Sequence, residues 1–140
     1  MTTIVVDASA ALGWMVLSTD SEAVHQYSSR LADAALSNGA QLIAPYVFNA
    51  ECAHAMLKRS RAEAWPRNRI EAYAELIDLY EVGLDDDILP LPEHVDWAVQ
   101  HHVQGYDALY LALAIERGAK LATTDRGLRA AAERAGVELF

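Results

Sequence analysis

One cysteine, Cys52, stands in the whole chain. An internal disulfide and any multi-cysteine zinc or iron–sulfur site are therefore excluded. No apolar run approaches the roughly 20 residues of a membrane span; the nearest is the stretch from Ala108 to Ile115. The opening Met-Thr-Thr-Ile-Val-Val-Asp has no basic segment and carries an acid, unlike a signal peptide. Together these absences point to a cytoplasmic protein. Also missing are G-x-G-x-x-G, a P-loop and G-x-S-x-G, so a nucleotide cofactor or a serine hydrolase has no support. Bases are scarce, 11 Lys and Arg against 20 Asp and Glu, for a net charge of −9. An acidic protein is a poor non-specific binder of nucleic acid. What is abundant is apolar: 53% of the residues, which excludes disorder. The 140 residues suit one domain over 1–140.

The charge is unevenly spread. Lys58, Arg59, Arg61, Arg67 and Arg69 fall within twelve residues that hold one acid, Glu63. The next segment, 70–96, carries nine acids and no base. Those five bases are candidates to track a phosphate backbone, against the plainer reading of a solvated helical face.

Short apolar, partly β-branched runs predict strands at Ile4–Val6, Gln41–Ala44, Asp87–Leu89 and Lys120–Thr123, with a fifth at Val137–Leu139. Between them lie Ala-, Leu- and Glu-rich helical patterns. Ser18 to Ser21 supply caps for a helix to about Leu36. Pro45 opens a helix to about Arg61, Pro66 one ending near Gly83, and Pro92 one to about Val103. Two more run from Asp107 to Arg117 and from about Arg126 to Ala135, stopped by Gly118 and Gly136. Such alternation predicts an α/β fold: a mainly parallel sheet with helices on both faces.

Ligands of open α/β sheets bind beyond the carboxyl ends of the strands. Asp7 follows the first strand directly, Asp125 follows a late one, and Asp107 heads a helix that is apolar all round. Glu51 lies inside the helix after Pro45, one turn from Val47, Phe48, His54 and Ala55. Each aspartate alone reads as a helix cap, and Glu51 alone as half of a salt bridge. As a set they read differently. No Lys or Arg lies within three residues of Asp7, Glu51 or Asp107, so convergence would demand a cation. All-oxygen ligands suit Mg²⁺ or Mn²⁺, and such a site points to phosphoryl chemistry with an activated water.

Ser9 and Thr124 each sit beside a candidate acid and offer a supporting hydroxyl, with local capping as the alternative. His54, three residues after Glu51, reads as packed into the core or supporting the acids, since a di-iron site needs two E-x-x-H motifs. Cys52 reads as core, and Trp14, Trp65 and Trp97 as packing or dimer contacts.

These residues resemble the PIN-domain proteins of the VapC toxin type, from type II toxin–antitoxin systems. The likeness lies in four blocks: Val6-Asp7-Ala8-Ser9-Ala10, Glu51 in the mid helix, Tyr106-Asp107-Ala108-Leu109-Tyr110-Leu111-Ala112-Leu113-Ala114, and Thr123-Thr124-Asp125-Arg126. The resemblance implies a three-layer α/β/α sandwich on a five-stranded sheet and Mg²⁺- or Mn²⁺-dependent endoribonuclease activity. It further implies a homodimer, and silencing by a cognate antitoxin whose C-terminal segment lies in the groove. Asp7, Glu51, Asp107 and Asp125 match the family's acids, Asp125 often through water; Ser9 and Thr124 match its hydroxyl positions. Many relatives carry Asn where His54 stands.

Other classes remain to be weighed. A haloacid-dehalogenase-like phosphatase wants a second Asp where Ser9 stands. A receiver module wants acids at Val5-Val6 and a late Lys near Thr124. A non-catalytic module of the same fold is the third alternative.

Overall fold

The computed structural model describes residues 2–140. Among them, four strands form one sheet: β1 (Thr3–Val6), β2 (Gln41–Pro45), β3 (Gly83–Asp85) and β4 (Lys120–Ala122). All three pairings are parallel, in the order β3-β2-β1-β4. Side chains alternate faces along a strand, yet Ile4, Val5 and Val6 are all buried. The sheet is therefore covered on both faces, which is why its central strand reads as an unbroken apolar run.

Seven helices complete the described fold: α1 (Ala8–Leu12), α2 (Glu22–Leu36), α3 (Phe48–Glu63), α4 (Arg67–Asp78), α5 (Leu91–His101), α6 (Gly105–Arg117) and α7 (Arg126–Arg134). A single 3₁₀ turn, Gly13–Met15, extends α1. Ser21 caps α2 by accepting from the Val24 N–H at 3.3 Å. α6 lies against β1, β2 and β4 and buries Ala108, Leu109, Tyr110, Leu111, Leu113 and Ala114, the all-round apolar helix that its sequence predicts. Gly118 ends it at φ +58°, where a side chain would be strained. Among the described residues no helix is long and apolar enough to cross a membrane.

The sheet corrects the expectation of five strands. Val137–Leu139 makes one parallel bridge, Leu139 to Leu121, held by the Leu121 N–H on the Glu138 carbonyl and the Phe140 N–H on the Leu121 carbonyl. That is the start of a fifth strand and no more. The third strand is Gly83–Asp85, not Asp87–Leu89; Ile88 is left 71% exposed. An edge strand is held by backbone pairing to one neighbour, so an apolar run is a poor guide to it. Pro45 ends β2 and does not open α3: it pairs in register with Asp85, at a strand end where its missing N–H costs little. α4 stops at Asp78 because the chain must turn into β3.

Gly13 shows why one position tolerates no side chain. Its φ is an ordinary −63°, but a Cβ there would stand 2.0 Å from Ser28 Oγ and 3.3 Å from Ser28 Cβ, with Ser28 itself buried. We expect Gly13→Ala to cost about 1–3 kcal/mol by overpacking, read as a lower urea midpoint. Gly13→Ala combined with Ser28→Ala should recover most of the loss; additive losses would reject this steric account.

Candidate active site

The strand order reverses between β1 and β4. From β1 the chain moves to β2 on one side; β4 lies on the other. Such a switch point opens a crevice at the carboxyl ends of the two strands. Asp7 and Asp125 stand there. The Asp7 backbone N–H donates to the Ala122 carbonyl at 2.9 Å, which ties the end of β1 to the end of β4.

One cavity at this edge is lined by Asp7, Glu51, Asp107 and Asp125 together, with Ser9, His54 and Tyr106 at its walls. Its lining contains no Lys or Arg. Four elements bring the acids in: the β1–α1 junction, the first turn of α3, the first turn of α6 and the N-cap of α7. The cap readings separate here. Asp125 does cap α7, its Oδ1 accepting from the Leu128 N–H at 2.8 Å. Asp7 makes no side-chain cap bond to α1. Asp107 lies within α6, in its first turn, where the helix dipole favours a negative charge.

Three of the four carboxylates commit one oxygen to the protein and leave the other outside those bonds. Asp7 Oδ2 accepts from Ser9 Oγ at 2.6 Å and from Thr123 Oγ1 at 2.7 Å. Glu51 Oε1 accepts from the Tyr110 hydroxyl at 2.7 Å. Asp125 commits only its Oδ1, to the cap. Charge-assisted bonds of this kind fix a carboxylate's orientation.

Burial is the chief reason that Asp7, Glu51 and Asp107 are hard to ionise. It raises Asp7 despite the two hydroxyls, and the Asp125 charge adds to the effect. It raises Glu51 despite Tyr110, with Asp7 adding. Asp107 is pushed up to about 6, by burial first and then by Asp125, Asp7 and Glu51. Like charges in a half-buried crevice behave this way. They also stand apart: among the described residues, no three Asp, Glu, His or Cys side chains are drawn into a ready metal cage. The donor chemistry nonetheless fits a hard divalent cation, being four carboxylates with no cationic side chain among them.

The remaining sequence candidates divide. Ser9 touches Asp7 as expected. The second hydroxyl is that of Thr123, not Thr124: Thr123 is fully buried, while exposed Thr124 contributes its backbone N–H to Ser9 Oγ at 3.1 Å. His54 is exposed on the cavity wall, not packed in the core. Cys52 is buried and its thiol is pushed up to about 12, chiefly by burial, so it is inert. Trp14 is buried and stacked on Tyr80 at 3.9 Å. Of the five bases, Arg59 pairs with Glu63 and Arg67 with Glu71, each at 2.8 Å, and Arg69 lies over the Trp65 ring at 4.6 Å. Lys58 and Arg61 are exposed and form no ion pair among the described residues. Sequence reasoning missed Thr123 and Tyr110. Tyr110 carried a signal, one turn after Asp107 as the only polar tip in an apolar run.

A family model described as "PIN domain" matches residues 4–134. Among solved structures, the chain is similar to PAE2754 from Pyrobaculum aerophilum, at 22% identity and a TM-score of 0.65, over 93% of this chain and 84% of that one. It is also similar to FitAcB from Neisseria gonorrhoeae, at 15% identity and a TM-score of 0.60, over 98% of this chain and 96% of that one. A comparison with curated proteins finds no match.

Proposed function

From the premise that this chain belongs to the PIN-domain family, whose members are generally nucleases, we propose that it is a metal-dependent endoribonuclease of the VapC toxin type, one domain over 1–140. The observation that carries this reading is the convergence of Asp7, Glu51, Asp107 and Asp125 on one cavity at the switch point, without a cationic neighbour in its lining. Neither the phosphatase nor the receiver alternative gains an observation.

Asp7, Glu51 and Asp107 would hold Mg²⁺ or Mn²⁺, with Asp125 engaged through water. When bound, the cation would screen the carboxylates from a phosphodiester and lower the pKa of a water, making hydroxide available as the nucleophile. The chain supplies the rest. Ser9 and Thr123 hold Asp7 by one oxygen. Tyr110 does the same for Glu51, and the α7 N-terminus for Asp125. Asp7, Glu51 and Asp125 would thus meet the cation already oriented, which lowers the cost of assembling the site.

The expected partners are an RNA substrate, a cognate antitoxin and a second copy of the chain, in the cytoplasm. A face suited to the second copy is the outer side of α5. Leu91, Val95 and Val99 recur there every four residues, at 74%, 51% and 67% exposure. Such a stripe is too apolar for open water.

Inducing the protein in a bacterial host and mapping new RNA 5′ ends, beside Asp107→Ala, tests the reading. We expect ends at a defined site that vanish in the variant. Equal ends from both proteins would reject the carboxylate site, and neither ends nor growth arrest would favour a non-catalytic module.

A further inference from the structure

α3 carries a cationic track that continues the cavity wall. The helix contributes Val47 at its N-cap, then Ala50, Glu51, His54 and Ala55 to the lining, and these share one face at 100° per residue. Its buried residues, Phe48, Cys52, Met56 and Ser60, form the opposite face. Extending the cavity face by the same rotation reaches Lys58 one turn beyond His54, and Arg61 almost a turn further. At a rise of 1.5 Å per residue these lie about 10 and 15 Å along the axis from Glu51. Both are exposed and in no ion pair among the described residues. The other three bases are turned to local use: Arg59 to Glu63 and Thr19, Arg67 to Glu71, Arg69 to Trp65 and Tyr73. Two uncommitted charges beyond the catalytic wall are unusual in a chain of net charge −9.

We infer that a single-stranded RNA leaves the acidic cavity along this face of α3, past His54 at the rim, with Lys58 and Arg61 taking successive stretches of its phosphate backbone. The inference rests on the ribonuclease reading and adds the direction of the strand. It answers a physical difficulty of that reading: an acidic protein repels a polyanion unless a local positive groove receives it. Lys58 and Arg61 touch no reacting atom, and their role is to position the substrate.

The test is cleavage and binding of a fluorescent single-stranded RNA oligonucleotide across a salt series in Mn²⁺. Lys58→Gln/Arg61→Gln should raise KM about tenfold or more and leave kcat nearly unchanged. It should also flatten the salt slope of binding by about 1.4, at about 0.7 per lost single-strand contact. Arg117→Gln/Lys120→Gln removes the same formal charge at the last residue of α6 and the first of β4, where Arg117 pairs with Asp85 and Lys120 with Glu138; it should change neither. Unaltered KM and slope in the first variant, with the wild type cleaving, overturn the track and leave the nuclease reading standing. Equal effects from both pairs would show general charge, not a track. RNA bound through Lys58 and Arg61 but never cut would keep the track and reject the nuclease. If the wild type binds no RNA, the track falls too. A KM unaffected by the variant, with loss only of binding to an acidic protein segment, would reassign the two charges to a protein partner.

Discussion

Asp7→Asn should cut RNA cleavage in saturating Mn²⁺ by about 10²–10³-fold, the usual penalty for removing one preorganised charge from a reacting centre. The protein should stay folded, and its metal-free form should melt no lower than the wild type. Both halves follow from the same surroundings. Asp7 is 5% exposed and its Oδ2 accepts from Ser9 and Thr123. Asn has the same shape and keeps an oxygen to accept from both hydroxyls. What disappears is the negative charge, and burial makes that charge expensive, since it holds the Asp7 carboxyl above its ordinary range. A function that needs the charge is lost while a fold that resents it is relieved. Activity within tenfold of wild type would remove Asp7 from the site, and collapse of the fold would show that the charge is structural.

Cleavage should fall about tenfold per pH unit below about 6. A cation must displace a proton from every ligand that holds one, and Asp107 is pushed up from 3.8 to about 6. Folding responds with the opposite sign. Because the folded state raises this pKa, it binds more protons than the unfolded chain between the two values. The stabilising contribution of protonated Asp107 is complete below 3.8 and is lost as pH rises through about 6. A shift of that size corresponds to about 3 kcal/mol if fully expressed; solvent screening at a half-buried site leaves about 1 kcal/mol. Metal-free protein should therefore melt lower at pH 8 than at pH 5, and added Mn²⁺ should reverse the order by binding the ionised site. Asp107→Asn should raise the metal-free melting temperature at pH 8 and narrow the gap between the two pH values. A gap unchanged in Asp107→Asn would show that another group governs it; Asp7 and Glu51 shift in the same direction.

Much of the architecture is written in local pattern. A central strand buried on both faces has to be apolar throughout, and Ile4-Val5-Val6 is. Ser21 caps α2 and Gly118 closes α6 because backbone groups at helix ends need particular partners or particular φ values, so those boundaries are legible. The acids were legible for the same kind of reason: Asp7 directly after such a strand, and Glu51 in a helix with no base within three residues, are costly placements that ask for an explanation. Elements held mainly by one neighbour left a weaker trace. β3 sits on the sheet edge with Leu84 43% exposed, and its position is set by pairing with Ile43–Pro45 and not by its own hydrophobicity. The last residues of the chain pair at a single bridge for the same reason.

What the sequence determined by itself is the α/β alternation, the apolar core and the four carboxylates, since strand burial, helix capping and the cost of an unpaired acid all act over a few residues. What only the tertiary structure decided is who touches whom. Thr123 and not Thr124 reaches Asp7 across 116 residues, Tyr110 reaches Glu51 across 59, and two of five bases are left uncommitted beyond the cavity. Neighbours in sequence compete for one partner in space: just past the end of β4 the chain turns Thr123 inward and leaves Thr124 exposed.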